Sequence, residues 1–164
     1  MQEVKAPNSY KSEGNILLFA AGSIEMGAAE NWQDRLAKAL GDIDRLVVLN
    51  PRRDDWDSTW KQVKEDAQFN EQVTWELQAQ ESADVIAMYF DPNTKSPITL
   101  LELGLFVEKN MVVFCPKGFY RKGNVDIVCD RYAVTQADSW DDFVAKIRAL
   151  IETMEQKRLE GAWS

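Results

Sequence analysis

Asn15-Ile16-Leu17-Leu18-Phe19-Ala20-Ala21-Gly22-Ser23 is the stretch that decides the fold. Ile16 to Ala21 is apolar without interruption, as in a strand buried on both faces, and Gly22-Ser23 breaks the run. Within Glu25 to Leu40 the residues Trp32, Leu36, Ala37 and Leu40 recur at helical spacing, and Gly41 closes the segment. Strand, turn and helix then recur. Leu46 to Leu49 reads as a second buried strand stopped by Asn50-Pro51, and Asp84 to Phe90 as a third, followed by the turn Asp91-Pro92-Asn93-Thr94. Between them, Phe69 to Ser82 reads as an amphipathic helix through Phe69, Val73, Leu77 and Gln80. Pro97 to Glu108 is a helix with Ser96 as N-cap and proline at its first position, and Met111 to Cys115 is a fourth strand. A fifth, shorter strand is expected within Val125 to Val134, then a last helix from Trp140 to about Glu155 capped by Asp138 or Ser139.

This alternation predicts a single three-layer α/β/α domain with a five-stranded, mostly parallel, flavodoxin-like or Rossmann-like sheet. The domain is expected over 15–156, between a flexible N-terminal arm, 1–14, and a C-terminal tail, 157–164. In such sheets ligands bind beyond the carboxyl ends of the strands at a topological switch point. Four segments meet that description: Gly22 to Gly27, Asn50 to Trp60, Asp91 to Glu102 and Pro116 to Asn124.

Composition narrows the chemistry. The 164 residues suit one core. A net charge of −8 without a basic run argues against a nucleic acid polymer and for a small ligand. No run approaches a membrane span and the N-terminal residues lack an apolar leader core, so a cytoplasmic protein with no membrane partner is expected. Cys115 and Cys129 lack metal or redox spacing and read as buried free thiols. The chain has no histidine, which removes the commonest general base and the commonest zinc ligand. Catalysis must lean on carboxylates, and neither a cofactor nor a metal is called for.

Among the carboxylates, Glu102 in Leu100-Leu101-Glu102-Leu103-Gly104 has almost wholly apolar neighbours, so it is poorly solvated unless partnered. A salt-bridged glutamate on a wet helix face fits the same residues. Asp84 and Asp91 bracket the third strand, although Asp91 before Pro92 also suits a plain turn former. Ala21-Gly22-Ser23 joins the first strand to its helix and offers backbone N–H groups as an anion cradle, or simply a tight turn. It lacks the glycine spacing of a P-loop or a dinucleotide fingerprint. In the loop after Asn50, Arg52 suits an anionic or carbonyl group and Trp56 suits stacking on a base; Trp60 and Arg53 also fit purely structural roles. Its Asp54-Asp55-Trp56-Asp57 cluster lacks the glycine and glutamate of a calcium loop. Gln72, Trp75 and Glu76 can approach the site from the second helix, with a solvated surface as the default reading.

Taken together, Leu18-Phe19-Ala20-Ala21-Gly22-Ser23-Ile24, Ala83-Asp84-Val85-Ile86 and Glu102-Leu103-Gly104 resemble the nucleoside 2-deoxyribosyltransferase-like family and its related nucleoside and nucleotide N-glycosidases, from Leu17 to about Ala133. The resemblance implies that Glu102 attacks the anomeric carbon and that Asp84 contacts sugar or base. It also places at Ser96 a position where the transferases carry aspartate and the N-glycosidases tend to carry serine. Asn124 looks like the asparagine that family members bring to the site, sometimes across a subunit interface, which implies a homo-oligomer. The small residues that usually precede the nucleophile are replaced here by Ile98-Thr99-Leu100-Leu101, and Glu25 stands where glycosidases place a basic residue for the 5′-phosphate. The first departure implies a substrate pocket of different shape, and the second favours a nucleoside over a nucleotide.

The expected chemistry is cleavage of a base–sugar bond through an oxocarbenium-like transition state, with transfer of the sugar to another base or to water. Glu102 is the expected nucleophile, and Asp91 the acid that protonates the leaving base. Two other functions fit the sequence: a noncatalytic nucleotide-binding or sensing module on the same fold, and a glycohydrolase acting on a nicotinamide dinucleotide or a modified base.

Overall fold

The computed structural model describes residues 1–24, 30–55, 57 and 59–161. Its centre is a six-stranded, wholly parallel sheet ordered β1-β3-β2-β4-β5-β6. The strands are β1 (Gln2–Lys5), β2 (Ile16–Gly22), β3 (Leu46–Asn50), β4 (Val85–Tyr89), β5 (Met111–Phe114) and β6 (Thr135–Ala137). Helices α1 (Trp32–Ala39), α2 (Ala67–Ser82), α3 (Pro97–Phe106), α4 (Lys122–Arg131) and α5 (Trp140–Gly161) make the crossovers and the C-terminal closure.

Each apolar run became a central strand because both faces are covered. On one face Trp32, Leu36 and Leu40 of α1 and Phe143, Ile147 and Ile151 of α5 pack on Leu18, Val48 and Val85. Each such fully buried large side chain contributes on the order of 2 kcal/mol. On the other face Trp75 and Ala79 of α2, Leu103 of α3 and Val125 and Cys129 of α4 pack on Phe19, Leu49, Ile86 and Val113. Both cysteines are free and buried.

The sheet has six strands rather than five, and its last strand lies beyond where it was expected. The expected flexible arm contains an edge strand. Val4 and Ala6 are buried, Gln2 to Lys5 run in register with Val47 to Asn50, and Trp75 Nε1 donates to the Asn8 carbonyl at 2.9 Å. Only one face of an edge strand meets the core, so Gln2-Glu3-Val4-Lys5 carries little apolar signal. The strand expected within Val125 to Val134 is helix α4 up to Arg131, because Val125, Val128 and Cys129 are spaced to share one helical face against the core. The last strand follows at Thr135. Helix α5 also runs past Glu155 to Gly161, through part of the expected tail, with Ser139 Oγ accepting from Asp142 N at 3.1 Å as its cap.

Strand order reverses direction between β2 and β4, which opens the switch point at Gly22 and Asp91. Gly22 has φ 152°, and a Cβ there would collide with the Tyr89 carbonyl oxygen and lie 2.7 Å from Trp32 Cζ2. Glycine is therefore required for β2, β4 and α1 to converge.

Candidate active site

At the switch point three hydroxyls form a closed ring. Ser23 Oγ and Ser96 Oγ are in contact, and Thr94 Oγ1 lies 3.0 Å from Ser23 Oγ and 2.7 Å from Ser96 Oγ. Asp91 N donates to Ser23 Oγ at 3.0 Å. Ser96 is the N-cap of α3 without a side-chain cap bond, because its hydroxyl turns into this ring instead. The ring ties the end of β2 to the turn after β4 and so fixes where α3 begins. Glu102 follows six residues later, about 9 Å along the helix.

That placement sets Glu102 against α2, on the sheet face covered by α2, α3 and α4. Glu102 is 7 % exposed, and its Oε1 accepts from Gln80 Nε2 at 2.7 Å. One helical turn before Gln80, Glu76 Oε1 accepts from Gln72 Nε2 at 2.7 Å, and the same Gln72 nitrogen donates to the Pro51 carbonyl at 2.8 Å. Burial pushes the Glu102 carboxyl up to about 8, the nearby Glu76 charge adds to the rise, and the Gln80 hydrogen bond opposes it. Burial likewise pushes Glu76, which keeps partial solvent access, up to about 7, against the Gln72 hydrogen bond. No cation neutralises either carboxyl among the described residues. Two acids forced together out of water favour a state in which one holds a proton and the other is ionised, which supplies an acid and a nucleophile side by side.

Gln72, Glu76 and Gln80 are four residues apart, so they form one stripe of α2. The amphipathic reading of this helix is therefore corrected: the polar stripe is buried, while Leu77 is 36 % exposed. The default solvated reading of Glu76 and Gln72 fails for the same reason. The signal in the sequence was the Gln-x-x-x-Glu-x-x-x-Gln spacing, which places three polar groups on one helical face.

Asp84 does not join them. It precedes β4 at the amino edge of the sheet, whereas Asp91 follows β4 at the carboxyl edge, about 20 Å away at the usual rise of a strand. Asp84 Oδ2 accepts from Leu17 N at 2.8 Å, and both carboxylate oxygens pair with Arg158 Nη2 at 2.9 and 3.0 Å. It anchors the end of α5, at the edge of the sheet opposite the switch point. Asp91 stays at the switch point as a turn former: Oδ1 accepts from Asn93 N at 2.8 Å and Nδ2 at 3.2 Å.

Asn50 is buried and spans β1 and the following loop, donating to Glu3 Oε1 at 2.7 Å and accepting from Arg52 N at 2.9 Å. Arg52 Nη2 reaches the Glu30 carbonyl at 3.4 Å beside the carboxyl edge. Arg53 packs over Trp60 at 4.9 Å and pairs with Asp55 and Glu71, which fixes the loop. Ala21 is wholly buried in β2, and Trp56 lies outside the described residues, as does Glu25. Asn124 lines a separate cleft of ≈ 330 Å³ between α3 and α4, with Leu100, Gly104 and Arg121. Among the described residues no cluster of three metal-ligating side chains forms, and no helix is long and apolar enough to cross a membrane.

The class defined by this arrangement is a parallel α/β protein with a desolvated carboxyl pair between α2 and α3. The chain matches the model of the nucleoside 2-deoxyribosyltransferase-like family over residues 15–119, more than half its length, and belongs to that family. The family is in general one of enzymes. No curated protein matches the chain.

Proposed function

We propose that the protein cleaves the N-glycosidic bond of a nucleoside, with Glu102 as nucleophile and Glu76 as acid. The observation that carries this reading is the carboxyl pair, Glu102 buried and Glu76 half-buried, each held at one oxygen by a glutamine of α2. The reactive form is the one in which the pair's single proton has passed from Glu102, where burial favours it, to Glu76. In the first step the ionised Glu102 Oε2 then attacks the anomeric carbon while the bond to the base breaks. The bonding electrons leave with the base, and Glu76 supplies the proton that neutralises it. The sugar is then an ester on Glu102. In the second step a base nitrogen or a water attacks the anomeric carbon, Glu102 leaves as carboxylate, and Glu76 takes up the attacking group's proton.

The same family membership supports a small-molecule nucleoside as partner. A homo-oligomer is supported by the outer face of α3 and α4. Ile98, Leu101 and Leu105 are 57 to 59 % exposed at helical spacing and Ile127 is 71 % exposed, beside the cleft that holds Asn124. A second copy covering this apolar band would remove it from water. The test is chromatographic detection of free base from a panel of nucleosides and nucleotides, with and without an acceptor base. Release by the wild type and at least about 100-fold slower release by Glu102→Gln is expected. A new nucleoside formed only with acceptor marks a transferase, and release that ignores Glu102→Gln refutes the reading.

A further inference from the structure

The geometry points to Gln80 as a positioning residue that holds Glu102 Oε1 and so presents Oε2 as the attacking atom. This inference rests on the proposed role of Glu102. Gln80 is wholly buried, and Nε2 donates to Glu102 Oε1 at 2.7 Å and to the Glu76 main-chain oxygen at 3.3 Å. Both bonds come from the one nitrogen, so the amide has a single orientation that satisfies them. Among the described residues, nothing donates to Glu102 Oε2.

The other end of the same amide shows what that orientation costs. Gln80 Oε1 is buried with no hydrogen-bond partner. A buried acceptor left unpaired is unfavourable, and an apolar side chain of similar shape would avoid it. What the amide supplies in return is its N–H on Glu102. Turning the amide over would place its oxygen against a carboxylate oxygen and the Glu76 carbonyl, two acceptors, so an ionised Glu102 locks the orientation. Lys109 Nζ donates to the Gln80 main-chain oxygen at 2.9 Å, which pins the last turn of α2 and the side chain with it.

The groups acting on Glu102 are few. Glu76, from α2, is the ionisable neighbour that disfavours its charge, and Gln80, from the same helix, is the donor that favours it. Around them, Leu103 on α3 and Val125 on α4 belong to the apolar core. Removing the Gln80 donor therefore moves Glu102 toward its protonated form and frees its carboxyl to rotate, two effects that packing alone would not produce.

The experiment compares the wild type with Gln80→Met, which keeps the length and loses the donor; Gln80→Leu serves if the first variant does not fold. The kinetic arm measures base release against pH. The second arm follows the Glu102 carboxyl carbon by NMR in protein labelled at glutamate, with Glu102→Gln giving the assignment, and needs no turnover. The expected result is a kcat ten- to a hundredfold lower, about what a lost charge-assisted hydrogen bond gives, with KM within about threefold. The acid limb of the rate profile and the NMR midpoint should both rise by about one pH unit. An unmoved midpoint, or a moved midpoint with kcat within about twofold of wild type, overturns the proposal. If the wild type itself releases no base, the glycosidic reading falls, while the midpoint still decides whether Gln80 holds Glu102.

Discussion

Glu102→Gln should make the protein more stable in alkaline solution and leave its stability unchanged in acid. In the unfolded chain a glutamate releases its proton near 4.5, whereas burial holds that of Glu102 to about 8. Between those values the folded state binds more protons than the unfolded state, so stability falls as pH rises through 4.5 and levels off above 8. At about 1.4 kcal/mol per pH unit, the ceiling on this loss is about 5 kcal/mol. Relaxation and water around a buried charge reduce such figures, and roughly 2 to 3 kcal/mol is the working expectation. Glutamine keeps the acceptor for Gln80 Nε2 and removes the charge. For a chain of this size that corresponds to a melting temperature about 5 to 10 °C higher at pH 8.5 and equal to wild type at pH 4. Thermal melts of both proteins from pH 4 to 9 give the difference curve directly. A constant offset across that range, or a variant less stable at pH 8.5, would refute a desolvated Glu102.

Other perturbations separate the site from its supports. Glu76→Gln should slow base release at least about 100-fold in the same chromatographic assay, through loss of the acid. Asp84→Ala strips the partner from Leu17 N and from Arg158, so it should lower stability by about 1 to 3 kcal/mol in urea denaturation, while base release at saturating substrate stays within about twofold. Gly22→Ala forces a side chain into the Tyr89 carbonyl at a positive φ and should cost about 3 kcal/mol or more, read as a lower melting temperature or insoluble expression. Introducing Glu at both Leu105 and Ile127 should shift a sizing profile from oligomer to monomer, with an unchanged profile counting against the proposed interface.

The strands that lie inside the sheet were legible because burial on both faces writes a continuous apolar run, as in Ile16 to Ala21 and Val85 to Phe90. Gln2 to Lys5 and Thr135 to Ala137 were not, since each of these short edge strands buries a single residue, Val4 and Ala137. Val125 to Val134 has the β-branched content of a strand, but the spacing of Val125, Val128 and Cys129 is helical, and packing on the core decided for the helix. Glu102 could be picked out because its neighbours in sequence are apolar. Its partner Glu76 was marked only by its spacing with Gln72 and Gln80, which does not say which face of α2 is buried; that depends on where α3 lands, which is fixed by the distant Ser23–Ser96 contact. Asp84 shows the converse. It stands out in the sequence, yet a residue before a strand lies at the amino edge, away from the switch point.

If Glu102 carries the sugar between the two steps, acid quenching of the enzyme during turnover traps the ester, and peptide mass spectrometry of the quenched protein detects it. A pentose-sized mass increase is expected on the peptide containing Glu102, lost in Glu102→Gln and discharged on adding acceptor base. Base release at full rate with no adduct in the wild type and none on slowing the second step, or an adduct on a different residue, would contradict it.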